Sequence, residues 1–151
     1  MHIAIINGAN LNLLGRREPS IYGTCSMEQV LVDLQRSYPD VYFEYHQSNH
    51  EGDLIDWVQQ FGVFSASLPM PFDGIILNAG GYSHTSIALR DAVACTTIPV
   101  VEVHISDISH REPFRQVSML TDVCAHAIIG RGIGGYREAT EWIIQHDTNK
   151  G

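Results

Sequence analysis

The sequence predicts an α/β fold, a flavodoxin-like doubly wound five-stranded parallel sheet built as a single domain over residues 1–151. Three observations carry this expectation. Five short apolar runs alternate with four stretches of helical spacing. The runs are near-continuous rather than alternating, which suits strands covered on both faces. The chain has 151 residues, about one domain's worth and short for a larger Rossmann arrangement.

The elements follow in order. His2–Ile6 is a first strand. Met27, Val30, Leu31 and Leu34 have the i, i+3, i+4, i+7 spacing of an amphipathic helix, and Ser26 with Gln29 forms a capping box at its start. Pro39 ends that helix. Val41–Gln47 is β-branched and aromatic and reads as a second strand. Leu54, Trp57, Val58 and Phe61 repeat the helical spacing. Gly74–Leu77 is a third strand. A helix over Thr85 to about Cys95 places Leu89, Ala92 and Val93 on one side. Pro99–Val103 and Cys124–Gly130 are the fourth and fifth strands, and Tyr136–Ile144 is a closing helix. The longest irregular piece is Asn7–Thr24, and a loop of that length in a compact domain is usually functional.

Charge and residue usage exclude several functions. The formal net charge is −8, and no basic run is present, so neither nucleic acid nor an anionic membrane is an expected partner. No apolar run reaches the roughly 18 residues of a membrane span, and the short N-terminal run reads as a strand rather than a signal peptide. Cys25, Cys95 and Cys124 are odd in number, with no CxxC, which fits reduced thiols in a cytoplasm. Eight of the nine bases are arginines, and the one lysine is Lys150. No internal lysine is therefore available for a Schiff base or a Walker phosphate loop.

In such sheets ligands bind beyond the carboxyl ends of the strands. Three segments there collect polar residues: 7–23 after the first strand, 78–86 after the third, and 102–115 from the end of the fourth. Tyr22 is either a partly buried aromatic anchor or a base, since a guanidinium such as Arg17 favours the phenolate. Glu102 and His104 are two apart, so a regular strand projects both to one face. His104 is then either a core histidine or an acid–base group oriented by a carboxylate. Asn10 and Asn78 are turn residues or amides presented to a substrate oxygen. Arg111 and Arg115 are four apart and are expected to share a helix face. The histidines show no HxH or HExxH spacing and so give no metal signal. Residues 130–135 fit GxGxxG, but no second strand with an acid about 20 residues on can follow, so a tight strand-to-helix turn is expected there.

These residues bring out a resemblance. LNLLG (11–15) and REPxxYG (17–23) closely resemble the type II 3-dehydroquinate dehydratases. So do SNHEG (48–52), LNAGG (77–81) with the HTS and ALRDA that follow it, EVHIS (102–106) and REPFR (111–115). The motifs run in order over nearly the whole chain. Ala9 stands where the family usually has proline, and Asp107 where it usually has asparagine.

The resemblance implies conversion of 3-dehydroquinate to 3-dehydroshikimate through an enolate, with no cofactor and no metal. By motif, Tyr22 is the base, held as phenolate by Arg17, and Asn10 stabilises the enolate through a bound water. His104 paired with Glu102 is the acid. The backbone amides of Ile105 and Ser106 hold the substrate carboxylate, while Asn78, His84 and Arg115 bind carboxylate or hydroxyls. Asp91 lies where the family reaches a neighbouring subunit's site, and Arg111 supports the loop. Residues 16–22 resemble the family's mobile lid. The family assembles as a homododecamer, a tetramer of trimers. Rival readings are a flavodoxin-like electron carrier, a phospho-receiver module, and a non-catalytic dehydroquinate-binding protein. The receiver lacks its acidic cluster after the first strand and its lysine after the fifth.

Overall fold

The computed structural model describes residues 1–16, 20 and 25–147. The five strands are β1 (His2–Asn7), β2 (Tyr42–Gln47), β3 (Gly74–Asn78), β4 (Val100–His104) and β5 (His126–Ile129). All neighbours are parallel, in the order β2-β1-β3-β4-β5. This is the doubly wound, flavodoxin-like sheet expected from the sequence. The helices are α1 (Met27–Ser37), α2 (Glu51–Val58), α3 (Ile87–Ala94) and α4 (Gly135–Gln145). No helix among the described residues is long and apolar enough to cross a membrane.

Strand alternation sorts the core into two layers. Ile3, Ile5, Ile76, Val101 and Val103 face one side, where they meet Met27, Val30 and Leu34 of α1 and Tyr136, Ala139 and Ile143 of α4. Ala4, Ile6, Ile75, Leu77 and Val100 face the other, against Leu54 and Val58 of α2 and Leu89 and Val93 of α3. Every residue of β1, β3 and β4 is buried. The expectation of strands covered on both faces does not extend to the two edges. β2 is half-buried along most of its length and β5 is partly exposed, because an edge strand has only one neighbour to cover it.

Local signals behave as their chemistry requires. The Ser26 hydroxyl accepts from Gln29 N–H while the Gln29 side chain accepts from Ser26 N–H, completing the capping box. α3 is capped by Ser86, whose hydroxyl accepts from Leu89 N–H, so the helix starts at Ile87, two residues after the expected start at Thr85. α2 ends in a widened turn over Gln59–Val63. The GxGxxG stretch is the expected tight turn. Gly130 and Gly132 have φ of 76° and 60°, and their N–H groups donate to the carbonyls of His104 and Ile105. The turn thus braces the chain just beyond β4.

Candidate active site

Asn7 and Asn78 are register partners at the ends of β1 and β3, so the loops that follow leave the sheet side by side. Their approach is close. A Cβ on Gly8 would lie 2.2 Å from the Ala79 carbonyl oxygen, and one on Gly80 would lie 2.8 Å from that of Ala9. Gly80 also has φ of 64°, which a side chain resists. Asn10 is the one non-glycine among the described residues with positive φ, at 69°, and its N–H donates to Asn49 Oδ1 at 2.9 Å. Asparagine tolerates this left-handed conformation better than most residues.

A cavity of about 160 Å³ opens where these loops meet the segment after β4. Asn10, Asn78, His84, His104, Ile105, Ser106, Arg111 and Arg115 all line it, with Ala9 and Gly80 at the β1–β3 junction. Eight residues singled out in the sequence therefore converge on one space. Glu102 stands directly behind His104. Tyr22 and Arg17, with most of the 16–22 segment, lie outside the described residues. Asp91 does not join the cavity. It sits on α3 in a separate depression with Gln59, Phe64 and Cys95.

The dyad has the geometry expected of two residues on one strand face. Glu102 is 1% exposed and His104 5%, and His104 Nε2 lies 2.6 Å from Glu102 Oε2. A carboxylate can only accept, so Nε2 carries the proton, and His104 is among the residues that line the cavity. Thr121 donates to Glu102 Oε1 at 2.6 Å, and Ser118 donates to Oε2. Burial pushes the Glu102 carboxyl up. That push is outweighed by the hydrogen bond and charge of His104 and by the two hydroxyl donors, so its pKa is lowered overall. The His84 ring lies 6.2 Å from that of His104, and its Nδ1 donates to the Val117 carbonyl at 2.8 Å.

Arg111 and Arg115 reach the cavity by a different route from the one their spacing suggests. They do not share a helix face. Arg111 is extended, and Pro113–Arg115 forms a separate short turn. Glu112 lies between them, 3.8 Å from Arg111 Nε and 2.9 Å from Arg115 Nε. Proline at 113 lacks the N–H a continuous helix would use. Arg111 also donates to Ser106 Oγ at 3.2 Å, tying two cavity residues together. Asp107 faces its own turn instead. Its carboxylate accepts from the Ser109 N–H and hydroxyl, which lower its pKa.

Several contributors escaped the sequence reading. Tyr136, fully buried at the start of α4, donates to Asn7 Oδ1 at 2.8 Å and accepts from Asn78 Nδ2 at 3.0 Å. Asn78 Oδ1 accepts from Gly80 N–H. Asn78 therefore enters the cavity wall with its amide already oriented. Ser118 and Thr121 carried no periodic or motif signal; only their hydroxyl chemistry, in a segment that returns over β4, marks them.

A model of the family "Dehydroquinase class II" matches residues 1–144. The 3-dehydroquinate dehydratase of an Exiguobacterium species is 46% identical over 151 residues, covering 99% of each chain. That of Campylobacter jejuni is 45% identical over 148 residues, 96% of this chain and 88% of its relative. Among solved structures, the type II dehydroquinase of Butyrivibrio crossotus superposes with a TM-score of 0.87 at 40% identity, over 95% of this chain and 97% of that one. The Propionibacterium acnes type II dehydroquinase gives 0.85 at 33% identity, over 95% and 96%. With the family pattern spanning almost the full length and the same fold beneath it, the chain belongs to the class II dehydroquinase family.

Proposed function

We propose that this protein is a 3-dehydroquinate dehydratase, a hydro-lyase that eliminates water from 3-dehydroquinate to give 3-dehydroshikimate. The observation that carries the reading is the buried Glu102–His104 dyad on the wall of a cavity that also gathers Asn10, Asn78, Ser106 and Arg115. Family membership selects the substrate from among those such a cavity would take.

The chemistry runs on side chains and backbone amides. Tyr22, as a phenolate favoured by Arg17, removes the proton from the carbon next to the ketone. The electron pair moves onto the carbonyl oxygen, and Asn10 stabilises that enolate through a water. The enolate then collapses, the β-carbon–oxygen bond breaks, and His104 passes its proton to the departing hydroxyl, which leaves as water. Glu102 holds the imidazolium that donates this proton. The N–H groups of Ile105 and Ser106, just past the end of β4, hold the substrate carboxylate. Asn78, His84 and Arg115 bind carboxylate or hydroxyls, and Arg111 supports the loop through Ser106. Asp91, remote from its own cavity, serves a neighbouring subunit in a homododecamer. The enzyme works in the cytoplasm.

An ultraviolet assay for the conjugated enone product tests the activity directly; a protein that binds 3-dehydroquinate without forming enone sinks the reading. Tyr22→Phe and Arg17→Ala are each expected to lower kcat by about 10²–10⁴-fold with the fold intact. Borohydride added during turnover should leave the protein mass unchanged, because an enolate route forms no imine to reduce. A reduced adduct would overturn the mechanism.

A further inference from the structure

We propose that Ser118 and Thr121 are positioning residues which, by donating their hydroxyls to Glu102, hold its carboxylate as the acceptor that orients His104. The inference rests on the reading of His104 as the proton donor.

The carboxylate's surroundings support the assignment. Glu102 has two oxygens and is 1% exposed, so water does not satisfy it. Oε1 takes the Thr121 hydroxyl; Oε2 takes both His104 and the Ser118 hydroxyl. A buried carboxylate without such donors favours its neutral form, and a neutral carboxyl would keep the proton that His104 needs. The hydroxyls thus help keep Glu102 ionised, as the acceptor for His104 Nε2. The other titratable neighbours do not compete for this task. Cys124 is pushed up to about 12 by burial and by the charges of Glu102 and Asp122, so it stays a neutral thiol. The His84 ring lies 6.2 Å from that of His104, with Nδ1 committed to the Val117 carbonyl.

The two hydroxyls are separable by experiment. Ser118 Oγ also accepts from Leu120 N–H, so Ser118→Ala disturbs a turn as well. Thr121→Val keeps shape and removes only the donor to Glu102, which makes it the cleaner probe. In the full-length enzyme, Thr121→Val is expected to lower kcat about tenfold with KM within about twofold, because one hydrogen bond to a charged group is lost. The acidic limb of its kcat–pH profile, which reports the dyad as a unit, should move up by about one unit. Thr121→Ser restores the donor and should restore both kcat and the limb. A residue that merely packs would move neither the limb nor the rescue. His104→Ala is measured alongside. If His104→Ala is inactive while Thr121→Val keeps wild-type kcat and limb, the proposal falls and the reading of His104 stands. If His104→Ala turns over normally, both fall together.

Discussion

Two buried polar clusters lie within the same sheet end, and they do different work. Around Tyr136, the amides of Asn7 and Asn78 and the Tyr136 phenol form a neutral network, which Asn7 Nδ2 extends to the Tyr45 phenol at 3.5 Å. Burial pushes the Tyr136 phenol pKa up, so it carries no charge near neutral pH. Around Glu102, a carboxylate collects a histidine and two hydroxyls, and the histidine also reaches the cavity. Neutral groups that satisfy one another stabilise and orient. A charged group placed against a titratable ring is costly to bury unless paired, and it lends the ring the ability to hold and release a proton. The contrast separates the scaffold of the site from its chemistry.

The largest expected effect lies in the charged cluster. His104→Ala should lower kcat by about 10²–10⁴-fold, equivalent to about 2.7–5.5 kcal/mol of barrier, while the melting temperature changes little. Next comes Glu102→Gln, with a loss of about 10² in kcat, since the amide cannot hold an imidazolium. Steady-state kinetics beside thermal melts checks both; a drop in melting temperature without a kinetic loss would reverse the contrast. In the neutral cluster the balance should invert. Tyr136→Phe leaves two buried amide groups short of a partner and should cost about 1–3 kcal/mol of stability, with a smaller effect on kcat than either substitution above. Denaturant unfolding monitored with activity decides it.

The smallest effect is a pH dependence. Glu102 has a lowered pKa in the folded protein, so its stabilising contribution is present at neutral pH. That contribution is lost as pH falls from its ordinary value of 4.5 through the lowered folded value. Wild type should therefore lose stability over that acid window relative to Glu102→Gln, and the two curves should approach each other. Curves that stay parallel would place the stabilisation elsewhere.

Much of this was legible in the chain. The five strands announced themselves because buried parallel strands are apolar throughout. Glu102 and His104 could be paired on paper because a strand's period of two is rigid. The rest depended on contacts that local patterns do not encode. Tyr136 meets Asn7 across 129 positions, and nothing near either residue points to the other. Ser118 and Thr121 sit in irregular chain, where hydroxyls follow no period. Arg111 and Arg115 show the opposite failure: a helical spacing without a helix, since Pro113 intervenes and Glu112 gathers both charges. The edges misled for a physical reason too, because β2 carries strand-forming residues whether or not both of its faces are covered.

The donors to Glu102 lie 16 and 19 positions along the chain from it. The carboxylate therefore fastens both ends of the segment that carries Ser106, Arg111 and Arg115. Closing a loop of 16 residues costs about 2.5 kcal/mol in the length-dependent part of its entropy, and the bonds at this latch work against that cost. Protonating Glu102 weakens the latch from within. Protection of amide hydrogens between Ile105 and Val117 should then fall more between neutral and acid pH than that of β1 or β3, through local opening and not global unfolding. One proton would thus loosen the wall of the cavity from a residue that stands behind it.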